Sequence, residues 1–413
     1  MKLIKLIIKM LKFTFPLKSY NYKKYSYMLL FIVYALGGIG IYLISRLQNE
    51  GENMAEKQII AYIAGFAVVI FVSLFNYHAI GKLFIFLYLA GIGLLAICKW
   101  SNSLPIYGWS HYDARRWIKI GGDPTAGTKN TGFEFQPSEF VKVVLIICIA
   151  KFFDLTIKYI KKLWVFIAAI VIEFAPVIFI LTQPDLSTTI VILAVFAVMV
   201  FISGVSYKFI IPTIVVLVPT AVGLFWYVQQ DFQTLLEEWQ QNRILAMLHP
   251  ELYPELTYQQ TNALTAIKSG GMLGKTLTGV EGIRASAYVP VSESDFIFSA
   301  VAEEFGFVGS IVVILLYMIL ILLILRIARR AADYLGTLIA TGIAALIMFQ
   351  VFINIGVVSS LLPNTGLALP FMSSGLSSLL ANLGMLGIVL NISLQPKPPQ
   401  VKQEKAELGY IDM

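Results

Sequence analysis

The stretch Pro290-Val-Ser-Glu-Ser-Asp295-Phe-Ile-Phe-Ser-Ala-Val-Ala-Glu-Glu-Phe-Gly306 sets one acidic residue, Asp295, where a long polar segment gives way to a long apolar one. A carboxylate at such a boundary lies near the headgroup level of a bilayer. There it could take a proton from a hydroxyl of a lipid-linked molecule as a general base. Ser292-x-x-Asp295 is also close to a capping box, which accounts for an acid at a helix start without any chemistry. Residue type and position leave both readings open.

Other side chains could share such a site. In Phe135-Gln-Pro-Ser-Glu-Phe-Val-Lys142, Pro137 and Ser138 predict a helix start, with Ser138 as cap. Glu139 and Lys142 then share one helical face, as a stabilising ion pair or as a charged pair turned into a polar cavity. Arg115, Arg116 and Lys119 form a basic cluster suited to lipid phosphates, or to snorkelling at the interface. Lys268-Ser-Gly-Gly-Met-Leu-Gly-Lys275 lacks P-loop spacing, although its backbone amides could cup a phosphate. Glu173, Glu303 and Glu304 stand within apolar runs and need polar partners or a wet cavity. Glu173, near Pro176, suggests a distorted helix whose freed carbonyls need donors. Asp185, in the short segment Gln183-Pro-Asp-Leu186, is read with Glu303 and Glu304 as a structural polar residue. The amides Gln350, Asn354, Asn382 and Asn391 suit hydrogen bonding between helices. His78, His111 and His249 lack metal-ligand spacing, and no metal motif is visible.

The elements that must position these residues follow from composition. Of 413 residues, 58% are hydrophobic and 13% charged, and the charges lie between long apolar runs. Lipid cannot satisfy an exposed backbone, so such runs read as spanning helices. The fold class is an all-α polytopic membrane protein with about ten transmembrane helices. These are expected near 27–46, 58–76, 82–98, 139–153, 163–182, 188–204, 209–228, 295–325, 336–361 and 375–394. The net charge of +7 comes from Lys and Arg flanking apolar segments and gives no single basic face for nucleic acid. Cys98 and Cys148 both sit in apolar segments and suit packing rather than a disulfide framework.

An even number of spans puts both ends on one side. Lys18, Lys23 and Lys24 before the first span make that side cytoplasmic. Lys82, Lys158, Lys161, Lys162, Lys208, Arg326, Arg329 and Arg330 then fall in cytoplasmic loops. The short outer loops at 183–186 and 361–375 carry no basic residue. Two long outer segments, about 99–138 and 229–294, hold most of the remaining polar residues. The domain scheme is a basic N-terminus at 1–26, the membrane domain at 27–395 and a polar cytoplasmic tail at 396–413. Lys2, Lys5, Lys9 and Lys12 fall on one helical face and Leu3, Ile4, Ile7, Ile8 and Leu11 on another. That pattern fits an amphipathic helix on the inner surface, or a mobile basic tail.

Several motifs in one order carry a resemblance. They are Arg115-Arg-Trp-Ile-Lys-Ile-Gly-Gly122, Phe135-Gln-Pro-Ser-Glu139, Gln183-Pro-Asp-Leu186, Ser294-Asp-Phe-Ile-Phe298, Glu303-Glu-Phe-Gly306 and Leu362-Pro-x-Thr-Gly-Leu-x-Leu-Pro370. Together they resemble the SEDS family (shape, elongation, division and sporulation), the group containing RodA and FtsW. The resemblance implies a peptidoglycan glycosyltransferase that polymerises lipid II on the outer face of the bacterial plasma membrane, beside a class B penicillin-binding transpeptidase. It implies Asp295 as the essential acid and carries Glu139 and Lys142 over with the Gln-Pro-Ser-Glu motif. Arg115, Arg116 and Lys275 match family basic positions and suit the substrate diphosphate, which a divalent cation could also help to neutralise. The alternatives are a lipid II flippase, a catalytically silent scaffold for the transpeptidase, or a polymerase of another lipid-linked glycan. This chain departs from the family's usual loop at Val291, Glu293 and Ser294, which stand for Glu, His and Thr. It departs again at Ser187, where Gly is common, and in Ser373-Ser-Gly-Leu-Ser-Ser378.

Overall fold

A computed structural model describes residues 14–47, 53–101, 106–111, 114–121, 133–183, 185–230, 232–235, 238–280, 282 and 284–395. The expected N-terminal amphipathic helix and the polar tail lie outside these residues. Helices stand at each of the ten expected spans: α1 (Tyr27–Leu47), α2 (Met54–Leu74), a short α3 (Tyr77–Lys82) leading into α4 (Phe84–Trp100), α5 (Pro137–Thr156), α6 (Leu163–Leu181), α7 (Leu186–Ile202) and α8 (Tyr207–Val228). After the second long segment come α12 (Ile297–Arg329), α13 (Tyr334–Val358) and α14 (Leu376–Leu394). Seven of these helices are long and apolar enough to cross a membrane, and α4 and α7 are shorter apolar helices. The chain is a multi-pass, mostly helical membrane protein. α13 and α14 are buried over most of their length, whereas α8 buries only Val228.

The two long segments expected at the outer face are not plain loops. The first folds into an antiparallel sheet of β1 (Ile106–His111), β2 (Ala114–Ile120) and β3 (Phe133–Phe135), in the order β1-β2-β3. Trp109 pairs with Trp117 and Ile118 with Phe135, aromatic and β-branched pairs of the kind that stabilise sheets. The second segment contains α9 (Glu238–Leu248), α10 (Pro254–Gly270) and α11 (Gly274–Thr278). Pro254 opens α10 at its first turn, and Gly271, at φ 55°, ends it.

α12 also differs from the single span expected at 295–325. It breaks at Gly306, whose backbone (φ 68°, ψ −166°) is non-helical and open at low cost only to glycine. The break frees the next amides. Phe307 N–H donates to Gly271 O at 2.9 Å and Val308 N–H to Met272 O at 3.2 Å. Residues 297–304 are buried, whereas Phe307, Val308, Ile311, Val312, Leu315 and Met318 are exposed. The lipid-facing helix therefore runs from 307 to 329, roughly 35 Å at 1.5 Å per residue, which alone suffices for a bilayer core of about 30 Å. Residues 297–305 form a separate buried half-helix.

Elsewhere the expected partners are found. The distortion at Pro176 is answered by α4, where the Tyr88 hydroxyl donates to Ile172 O at 2.8 Å, the carbonyl four residues before the proline. Asn391 donates to Ser73 O and Tyr20 Oη and accepts from Tyr77 N–H. Cys98 and Cys148 are buried free thiols.

Candidate active site

Asp295 lies in a run of turns, residues 290–296, immediately before α12. The helix begins at Ile297 with Phe296 at the cap and no side-chain capping bond, so the capping-box reading of Asp295 does not hold. Its Oδ1 accepts instead from the neighbouring Ser294 hydroxyl at 3.0 Å. The facing segment 361–375 comes so close that a Cβ on Gly366 would meet Asp295 Oδ2 at 3.2 Å. Val291 is held at φ 59° and Phe371 at φ 66°. For a β-branched residue such as Val291 the left-handed region costs about 1–2 kcal/mol, a strain that the surrounding contacts maintain.

Burial pushes the Asp295 carboxyl up to about 6. The Ser294 hydroxyl and Arg116 oppose that rise, while Glu293 and Asp185 add to it. A base near 6 is largely ionised at neutral pH and still accepts protons better than an ordinary Asp. Asp185 caps α7, its Oδ1 accepting from Thr188 N–H at 3.2 Å, with Ser187 Oγ 3.2 Å away. Ser187 in turn donates to Thr365 O at 2.8 Å.

The basic cluster divides because it is a strand. Side chains alternate across β2, so Arg115 and Arg116 point to opposite faces. Arg115 turns back to Ser101 O. Lys119 pairs with Glu134 at 3.3 Å and stands 3.9 Å over the Trp109 ring. Arg116 reaches Gln183 O at 3.1 Å and lies within the field of Asp295. Of the three, Arg116 belongs to the acid's surroundings. Arg243 of α9 joins it: partial burial, then the charge of Arg116, lowers the Arg243 pKa. An anion between two guanidinium groups would relieve that mutual repulsion.

Lys275, by contrast, is committed to Glu303. This carboxylate also accepts from Ser269 Oγ at 3.1 Å, Ala285 N–H at 2.8 Å and Ser286 N–H at 2.7 Å. Glu304 accepts from Arg284 Nε at 2.6 Å and from Thr276 Oγ1. Glu303 and Glu304 thus meet their partners from the second long segment rather than inside the bilayer.

Glu139 and Lys142 form a buried ion pair at 2.8 Å near the start of α5. The ion-pair reading holds; Lys142 also lines a cavity of about 10 Å³, room for one water, but apart from Glu173 its other walls are apolar and Glu139 does not reach it. Ser138 is not the cap. Gln136 takes that place, Pro137 is the first helical residue, and the Ser138 hydroxyl is buried without a partner. Among the described residues, no group of three or more His, Cys, Asp or Glu is clustered to hold a metal ion.

The structure brings Asp185, read from the sequence only as a structural polar residue, beside Asp295 and Arg116. Arg243 is not singled out in the sequence, and Asn354 is given only a generic role there. Asn354 in fact donates to Asp295 O at 2.7 Å and to Leu367 O at 2.7 Å.

The fold and site define a multi-pass membrane protein whose central acid is held where two interhelical loops meet, with basic side chains alongside. The chain belongs to the FtsW/RodA/SpoVE family, described as cell cycle protein, whose model matches residues 24–397. It is 33% identical over 400 residues to the probable peptidoglycan glycosyltransferase FtsW of Bacillus subtilis, covering 94% of this chain and 95% of that one. It is 33% identical over 288 residues to the peptidoglycan glycosyltransferase MrdB of Escherichia coli, covering 69% and 72%. A solved structure described as structural coordination of polymerization and crosslinking by a peptidoglycan synthase complex aligns at TM-score 0.71 and 26% identity, covering 89% of this chain and 97% of that one.

Proposed function

We propose that this protein is a peptidoglycan glycosyltransferase that polymerises lipid II at the outer face of the bacterial plasma membrane, with Asp295 as its general base. The observation that carries the reading is the state of Asp295: raised to about 6 by burial, bonded by a neighbouring hydroxyl and serving no helix cap. Structural acids in this chain look different, as Asp185 and Glu303 show. Relatives named for the same activity support it. In the reaction, an acceptor sugar hydroxyl attacks the anomeric carbon of the donor. The new glycosidic C–O bond forms as the bond to the lipid diphosphate breaks, with inversion. The hydroxyl proton passes to the Asp295 carboxylate, and the departing diphosphate keeps the bonding electron pair. Arg116 and Arg243 meet its charge, an electrostatic contribution that grows as the bond breaks. Lys275, Arg115 and Lys119 hold the outer segments in shape.

The positive-inside pattern supports ten crossings, with the N-terminal residues 1–26 and the tail 396–413 cytoplasmic. The structural likeness to a synthase complex supports a class B penicillin-binding transpeptidase as partner. The test is lipid II polymerisation by the purified protein, with and without that partner. Wild type should give polymer and Asp295→Asn none; polymer of unchanged length from the variant would sink the assignment.

A further inference from the structure

Three consecutive carbonyls of the acid's loop, those of Glu293, Ser294 and Asp295, are each held by donors from α13 or the segment that follows it. Ser374 N–H donates to Glu293 O at 2.8 Å. Ser373 Oγ donates to Ser294 O at 2.5 Å. Asn354 Nδ2 donates to Asp295 O at 2.7 Å. Both side chains also grip their own segment: Asn354 Nδ2 donates to Leu367 O at 2.7 Å, and Ser373 Oγ accepts from Leu369 N–H at 2.8 Å. Asn354 is 1% exposed and Ser373 4%, so water does not compete for these bonds. The shape they impose is not one the chain prefers, since Val291 on one side and Phe371 on the other sit at positive φ.

We propose that Asn354 and Ser373 are positioning residues, a two-point brace that fixes the Asp295 backbone against residues 366–374 and so aims its carboxylate at the acceptor hydroxyl. Neither side chain touches the carboxylate; both act through the backbone that carries it. A hydroxyl and a carboxamide suit the task, because each has the hydrogen-bonding groups to tie two segments together and neither adds charge near the acid. The groups facing Asp295 (Arg116, Glu293 and Asp185) come from β2, its own loop and the start of α7, and the brace also sets their distances to it.

The inference rests on the reading of Asp295 as general base, and one experiment separates the two. Lipid II polymerisation is measured against pH and substrate concentration for wild type, Ser373→Ala, Asn354→Leu, Ser373→Thr and Asp295→Asn, each with the transpeptidase partner. The brace variants should lose roughly 10²-fold in kcat, the scale of a misplacement of about 1 Å, with KM within about twofold. Their acid limb should fall towards the ordinary carboxylate range as the loop opens, and Ser373→Thr, which keeps a hydroxyl, should recover most of the rate. Should Asn354→Leu fail to fold, Ser373→Ala, a loop substitution, decides alone. A kcat loss with the acid limb unmoved, or an unchanged kcat, overturns the brace. Full activity in Asp295→Asn overturns the general base itself.

Discussion

Two acids, Asp295 and Glu303, stand eight residues apart in one stretch of chain and are treated in opposite ways. Glu303 is fully enclosed and receives an ammonium, a hydroxyl and two backbone amides. Asp295 receives one neighbouring hydroxyl and keeps part of its surface open. Fully supplied with donors, a carboxylate is a structural anchor with no reason to change state. Poorly supplied, it costs stability and is ready to take a proton. Glu303 and Glu304 fasten Ser269, Lys275, Thr276, Arg284, Ala285 and Ser286 to α12, whereas Asp295 is left short of donors, as the proposed general base would be.

The sharpest way to break this comparison is to remove the anchor. Glu303→Ala leaves the Lys275 ammonium and two amides without their acceptor and should cost roughly 3–5 kcal/mol. Thermal unfolding in detergent and loss of polymerising activity should then move together. A stable but inactive Glu303→Ala protein would make Glu303 a second site residue and erase the contrast. The smaller test concerns strain in the acid's own loop. Val291→Asn places a residue tolerant of the left-handed region at φ 59° and should stabilise the fold by roughly 1 kcal/mol, read as a raised Tm. A lowered Tm would show that the Val291 side chain contributes more than its backbone costs.

Much of this was legible in the sequence, and the parts that were not have physical reasons. The apolar runs located ten helices because burial in lipid leaves few alternatives. Asp295 stood out because an acid between a polar and an apolar run is uncommon. The division between Arg115 and Arg116 was hidden by reading 99–138 as a loop. The alternation in Arg115-Arg-Trp-Ile-Lys-Ile120 and the tryptophans at 109 and 117 were the available signals of a sheet. Glu303 and Glu304 looked like intramembrane acids because Gly306 does not declare from sequence that it ends a half-helix. Its effect depends on carbonyls more than thirty residues upstream, Gly271 O and Met272 O. The link from Asn354 to Asp295 is likewise a tertiary contact that no local pattern encodes.

The most direct test of the central claim pairs activity with stability in Asp295→Asn. The folded protein holds this carboxyl near 6, above its ordinary value of 3.8. Its contribution therefore favours the fold below about pH 4 and is lost as pH rises through 6. At pH 7 the neutral amide should raise stability by roughly 2–3 kcal/mol, an advantage that vanishes below about pH 4, while polymerisation falls by roughly 10²–10⁴-fold. An Asp295→Asn protein that polymerises normally, or one that loses activity and stability together at pH 7, would contradict the account.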